Sequence, residues 1–420
     1  MQIASPPPPR HGAVIFIFIT IMLDMLSLGM IAPVLPKLVA GFIGGDVARA
    51  AEMFGLFGTV WALAQFFASP VLGVLSDRFG RRPVIVLSNL GLGFDYVVMA
   101  LAPTLNWLFL GRAISGVTAA SLTTAGAYIA DVTPPEKRAA GFGMLSAAFG
   151  VGFVLGPAVG GLLGGFNPRF PFWVAAAFSV ANAMYGTFVL PESLPPEKRS
   201  ARVPWGRANP LGSLKLLRSH PELSGLSVVG FLSALAGQSA PAIWVLFTIY
   251  QYHWNTSIIG LSLAMVGITT AVVQGLLVRP VVARFGERSA LVAGLVFGAI
   301  GMTMFAFANT PFLFWTGLVV MSLWGFAPSA SQSLMSRRVS PAEQGELQGA
   351  ISCIRSLTAL VGPGIFTLTF AVFMDSTRAW FFPGAAWMLG ALIVAGAARL
   401  AWLATRSRSQ TIAEFERVAS

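Results

Sequence analysis

Twelve apolar stretches, each about 20 residues or longer, follow one another along this chain, separated by short charged or Pro/Gly-rich breaks. They run approximately over 13–36, 51–75, 84–103, 107–130, 139–164, 171–190, 222–248, 257–278, 289–308, 312–335, 346–371 and 379–404. At a rise of about 1.5 Å per residue, each can cross a hydrocarbon core of about 30 Å. In lipid only helices and closed barrels satisfy the backbone, and barrel strands are about half this length and alternate in polarity. The pattern predicts an all-α membrane protein with twelve transmembrane helices. Charge agrees: 27 Lys/Arg and 16 Asp/Glu make 10% of 420 residues, against about 25% in soluble domains. The first stretch is too long for a cleaved signal peptide, and no small-residue cleavage site follows it.

Basic residues set the orientation. With the N-terminus in the cytoplasm, 20 of the 27 Lys/Arg fall in inside segments, four outside (Lys37, Arg49, Arg169, Arg378) and three within spans (Arg112, Arg355, Arg399). Both termini are therefore expected in the cytoplasm. The net charge of +11 does not indicate nucleic acid, because the charges are scattered through short loops with no basic stripe. The single Cys353 and the separated His11, His220 and His253 offer no metal centre. The longest polar segment, 191–221, divides the chain into an N-terminal six-helix bundle (1–190), a central cytoplasmic linker (191–221), a C-terminal six-helix bundle (222–404) and a cytoplasmic tail (405–420) with the mixed charge of a surface helix.

The halves repeat at an offset of about 206 residues. "DRFGRR" (77–82) matches "ARFGER" (283–288), "VTPPE" (132–136) matches "VSPAE" (339–343), and Gly156-Pro157 matches Gly362-Pro363. A duplicated six-helix unit is the build of two-bundle transporters, which bind substrate near the midplane.

The loop "GVLSDRFGRR" (73–82) needs Gly80 for its turn, gives Asp77 helix N-termini or arginines to pair with, and places Arg78, Arg81 and Arg82 against the cytoplasmic headgroups. Acid, glycine and paired arginines at this spacing resemble the signature loop of the major facilitator superfamily, whose two-bundle fold the resemblance implies. It also implies a gating role for this loop, and a proton-coupling role for Arg112 in "LGRAISG"; the alternative for Arg112 is a structural bond to backbone carbonyls. In "GVGFVLGPAVGG" (150–161), Gly152, Gly156 and Gly160 form a smooth face and Pro157 bends the helix. This string looks like the superfamily's antiporter motif, with plain helix packing as the alternative.

"LDMLSLGMIAPVLPKL", "GFDYVVMALAP", "GAYIADVTPPEKRA", "NPLGSLKLL", "GQSAPAIWVLF" and "EQGELQGAI" together resemble the bacterial tetracycline/proton antiporters over most of the chain. Asp24 and Asp95 lie near mid-span in the first and third helices, where a carboxylate is costly and is a candidate proton carrier. Both match acidic positions of those exporters; a helix cap for Asp24 and an interhelical bond for Asp95 are the alternatives. Gln65, Gln238 and Gln274 are candidate substrate contacts that also match, or amides that merely bond across helices. Gln238, between Gly237 and Pro241, is expected at a local helix break. Phe66, Trp244 and Phe94 are candidate aromatic walls.

Three positions depart from the exporters. Gly298 stands where they carry a helix-9 aspartate, Thr270 where some carry a histidine, and Arg355 where they have a small polar residue. An acid is lost and a base gained, which favours an anionic substrate group or an internal pair of Arg355 with Asp24 or Asp95. The expectation is a proton-coupled efflux antiporter for small amphiphilic molecules in the bacterial inner membrane. It would act by alternating access, with a small-molecule substrate, protons and membrane lipid as partners. No cofactor is expected beyond the proton gradient, no nucleic acid, and a monomer by analogy. A proton symporter importing an anionic metabolite is the alternative. A non-transporting sensor would want a larger output domain, and an enzyme would want a catalytic cluster that the sequence lacks.

Overall fold

The computed structural model describes residues 11–119, 121–133, 138–199, 221–339, 343–374 and 380–419. Most of the expected linker 191–221, part of the repeated string 132–136 and the position of Arg378 lie outside these residues. The helices are α1 (His11–Ile31), α2 (Leu35–Phe42), α3 (Val47–Phe79), α4 (Arg81–Leu101), α5 (Leu105–Thr118), α6 (Ser121–Val132), α7 (Arg138–Phe166) and α8 (Phe170–Phe188). They continue with α9 (Pro221–Gly237), α10 (Ser239–Tyr252), α11 (Thr256–Val272), α12 (Val278–Ala306), α13 (Pro311–Ser322), α14 (Phe326–Ser336), α15 (Gln344–Met374) and α16 (Ala385–Ala419). The expected tail is thus a continuation of α16, and no strand occurs among the described residues.

Nine of the described segments are long and apolar enough to cross a membrane. The difference from twelve lies in three places. Thr256–Ala306 counts once but holds the expected eighth and ninth spans. The fourth span is broken after Ala119 into α5 and α6, each too short alone. The sixth span is present as the 19-residue α8, whose Ser179, Asn182 and Thr187 lower its hydropathy.

Contacts divide the chain into two compact units. One comprises Met1–Leu38, Val60–Asn209 and Thr256–Ala264; the other comprises Val39–Thr59, Pro210–Asn255 and Met265–Ser420. In the first unit the glycine face of α7 meets α1. A Cβ on Gly152 would lie 2.6 Å from the Met22 carbonyl oxygen, and one on Gly156 would lie 2.7 Å from Gly29 Cα. A Cβ on Gly160 would likewise press on Met30 Cα at 2.5 Å. Three glycines in one row therefore let two backbones touch, which in lipid replaces the missing hydrophobic drive with van der Waals contact. Pro157 lies inside α7 at this seam.

The repeat extends to backbone angles and ring contacts. Gly80 has φ 106° and ψ 159°, and Gly286, 206 residues on, has φ 78° and ψ 161°. Both are conformations that only glycine adopts without strain. Arg78 lies 5.3 Å over the Phe79 ring, and Arg284 lies 5.6 Å over Phe285. The break between α5 and α6 recurs, at the same offset, as the 3-10 turn Leu323–Gly325 between α13 and α14.

One ion pair recurs with its charges exchanged. Arg81 Nε donates to Asp131 Oδ2 at 3.1 Å; at the equivalent positions Arg337 Nη2 meets Glu287 Oε1 at 2.7 Å. Position 77 explains which sign each copy takes. Asp77 Oδ1 accepts from Arg81 Nη1 at 2.5 Å, so an acid at 81 would be repelled, whereas Ala283 leaves Glu287 free of that neighbour. Arg81 also reaches Ser76 Oγ at 2.6 Å, and its backbone N–H donates to Glu192 Oε1 at 2.9 Å. Arg82 donates to the carbonyls of Gly186 and Thr187, so the loop clasps the exit of α8.

Gly156→Ala should cost about 1–3 kcal/mol through overpacking against α1. Gly150→Ala, in the same helix with nothing within 4 Å of the new Cβ, should be neutral or stabilise by up to about 1 kcal/mol. Thermal unfolding of the purified protein in detergent reads both, and equal Tm shifts would contradict the seam. For the ion pairs, Arg81→Glu with Asp131→Arg should remain destabilised until Asp77→Ala is added. Glu287→Arg with Arg337→Glu, where Arg337 is 73% and Glu287 13% exposed, should recover most of the stability lost in either single variant without a third change. Full rescue of the first pair without the change at 77 would refute the role given to Asp77.

Candidate functional site

In the first unit, two carboxylates sit inside the helix packing. Asp24 of α1 is 3% exposed and Asp95 of α4 is fully buried. Asn182 of α8 holds Asp24: its Nδ2 donates to Asp24 Oδ1 at 2.8 Å and to the Thr20 carbonyl at 2.9 Å. The alternative of a helix cap for Asp24 does not apply, because α1 runs on through it to Ile31. The groups acting on the Asp95 carboxylate are the Arg112 guanidinium, through its charge, and the Ser115 hydroxyl, one turn further along α5. Ser115 is near but outside hydrogen-bond geometry, and the buried Asp95 oxygens, Ser115 Oγ and Arg112 Nε all lack a partner at that geometry. Gly111 makes the approach of α4 possible, since a Cβ there would stand 2.7 Å from Asp95 Oδ1. Arg112 covers the Trp61 ring at 5.3 Å. A guanidinium at this depth costs at least about 2.5–3.5 kcal/mol, and the acid and the indole offset part of that. Tyr96, next to Asp95 in α4, is buried and near enough to Asp24 to feel the charge of both carboxylates.

The glutamines and aromatics are placed differently. Gln65 Nε2 donates to the Ala119 carbonyl at 3.4 Å, at the break between α5 and α6. Its neighbour Phe66 is half-buried edge-on to Phe67, and Phe94 is 60% exposed. Gln238 is the turn between α9 and α10, as its Gly and Pro neighbours suggested, and its side chain presses on Gly362 of α15. Trp244 is not a wall. It is 1% exposed in an aromatic cluster, with ring centroids 4.9 Å from Phe314, 5.4 Å from Phe305 and 5.9 Å from Trp387. Burying so large a side chain explains it without a ligand. Gln274 is exposed on a π-helical turn, Val273–Leu277, against Gly325. Such turns disrupt a helix and often accompany function.

The second unit contains a cavity of about 350 Å³. Arg355 and Thr270 line it, together with Ser233, Gln332 and Trp324, which the sequence reading did not single out. Trp324 stands on the 3-10 turn that interrupts the tenth span; "SLWGFAPS", with its Gly and Pro inside an apolar run, was the available signal. Its Nε1 donates to Ser233 Oγ at 3.2 Å. Its ring lies on Gly298, where an added Cβ would sit 2.8 Å from the indole Cγ.

Similarity to known proteins agrees with this architecture. The family model described as Major Facilitator Superfamily matches residues 17–363 and 226–417. The chain is 39% identical over 383 residues to the tetracycline resistance protein, class C, of Escherichia coli, covering 91% of this chain and 94% of that one. It is 35% identical to the class E protein of Escherichia coli, over 90% of this chain and 92% of the relative. Among solved structures, the occupied, inward-facing bacterial homologue of the human lysosomal transporter Spinster superposes with a TM-score of 0.76 at 19% identity, over 96% of this chain and 98% of that one. The chain therefore belongs to the major facilitator superfamily, as a multi-pass membrane transporter and not an enzyme.

Proposed function

We propose that the protein is a proton-coupled efflux antiporter for small amphiphilic molecules, working by alternating access. The observation that carries this reading is the placement of two carboxylates, Asp24 and Asp95, inside membrane-spanning helices with polar neighbours that are few and specific. Carboxylates at such depth are retained at a cost, and proton relays are a use that repays it. Asp24 and Asp95 carry the protons. Arg112 answers the charge of Asp95 and changes its hold on the proton as the helices move. The tetracycline resistance names of the relatives support export as the direction, as does the glycine face of α7. The loop Asp77–Arg82 acts at the cytoplasmic end on the balance between conformations, since its bonds run to α8 and to the segment that follows it.

Asp24→Asn should abolish proton-driven exchange in proteoliposomes while leaving expression and Tm within a few degrees of wild type. The amide keeps the shape and can still bond Asn182. Proton release from the purified protein on adding a transported amphiphile should fall with it, and normal pumping by the variant would remove Asp24 from the mechanism. Asp77→Asn should slow turnover several-fold while substrate Kd changes less than twofold, because the loop biases an equilibrium rather than touching substrate. A large loss of affinity at unchanged turnover would overturn the gating role.

A further inference from the structure

The cavity of the second unit has a composition that specifies its occupant. Its walls come from α9 and from α11 to α15 and are mostly apolar, with hydroxyls from Ser233, Thr269, Thr270, Ser322 and Ser331 and the amide of Gln332. Arg355 is the one charged residue among those that line it. Arg355 is exposed and forms no ion pair with any described residue, so its guanidinium is available. Asp24 finds Asn182 and Asp95 finds Arg112, each within the first unit. The flat surface is Trp324, fixed from one side by its bond to Ser233 and from beneath by Gly298.

The Gly298–Trp324 contact also explains a departure noted in the sequence. Any side chain at 298 would have to displace the indole, so an acid at this position and Trp324 in this pose exclude each other. The site has an indole over Gly298 where an acidic side chain would not fit, and it holds a cation, Arg355, on α15. A guanidinium without an ion pair at the wall of a mostly apolar cavity attracts a carboxylate or sulfonate bidentately and repels an ammonium. A rigid indole face favours a planar ring. The volume of about 350 Å³ lies within the range of small-molecule sites. The turn that carries Trp324 is the repeat partner of the break at Ala119, and helices interrupted at corresponding places in two halves are where such transporters build their sites.

We propose that this cavity binds planar aromatic molecules bearing one negative charge, with Trp324 as the stacking wall and Arg355 as the counter-ion. As a statement about transported substrate it rests on the export reading above; as a statement about binding it stands without it. Cationic metal–tetracycline chelates are accordingly poor ligands for this site.

Three probes of one shape and different charge test it: 2-naphthoate, 2-naphthamide and 2-naphthylmethylammonium, titrated calorimetrically into the purified full-length protein in neutral detergent at pH 7. The expected result is that 2-naphthoate binds at least tenfold more tightly than either of the others. Arg355→Gln should erase that preference and leave 2-naphthamide unchanged, and Arg355→Lys should keep a part of it. Trp324→Leu should weaken all three by a similar factor. An unchanged preference in Arg355→Gln, with Tm equal to wild type, overturns the assignment of Arg355. Equal binding of all three probes to wild type, as nonspecific partition into an apolar surface would give, overturns the site altogether. Charge-selective binding that depends on Arg355, without proton-coupled flux of 2-naphthoate in proteoliposomes, would leave the site standing and bring down the export reading instead.

Discussion

Lipid gives a buried polar group nothing to bond to, and this deprivation shapes the molecule at every level. It forces the backbone into helices, whose hydrogen bonds are internal. It draws the two intramembrane carboxylates toward polar groups on neighbouring helices. Asp24 takes the amide of Asn182, and Asp95 shares its burial with Arg112 and Ser115. It also removes the ordinary driving force for helix association, so the contact of α1 with α7 depends on a row of glycines through which backbones can touch. The charges that remain inside are few because each is expensive, and that scarcity is what makes them legible as function.

The duplicated architecture shows which features are geometric and which are local. Two glycines 206 residues apart hold the same positive-φ backbone conformation, and two arginines lie over the phenylalanines beside them. The ion pair linking positions 81 and 131 keeps its place in the second copy but exchanges its signs. Coulomb attraction does not distinguish the two arrangements. The surroundings do: Asp77 demands a base four residues on, and Ala283 demands nothing. Duplication thus preserved the backbone while the electrostatics of the two copies drifted to different consistent solutions.

Interruptions of the fourth helix of each half have opposite consequences in the two copies. In the first, the break frees the Ala119 carbonyl, which Gln65 meets. In the second, the tight turn carries a tryptophan that roofs a cavity and donates to Ser233. The same backbone device serves an internal bond in one unit and lines a cavity in the other.

Much of this was readable from the chain alone. Apolar runs long enough to span a bilayer, few charges and the placement of Lys and Arg dictated a helical membrane protein, because hydrocarbon thickness and backbone bonding leave no other solution. The repeat was visible at its loops, where glycine and charge are constrained, and the carboxylates stood out because acids are rare in such runs. The sequence could not say that Trp244 belongs to an aromatic core while Trp324 faces a cavity, since both are single tryptophans in apolar helices. It could not say that Gly298 is occupied from above by an indole, or that Asn182 is the partner of Asp24, 158 residues away. Composition and spacing determine which groups must be inside a membrane. Which of them meet depends on the packing of helices distant in sequence, and only the tertiary structure decided that.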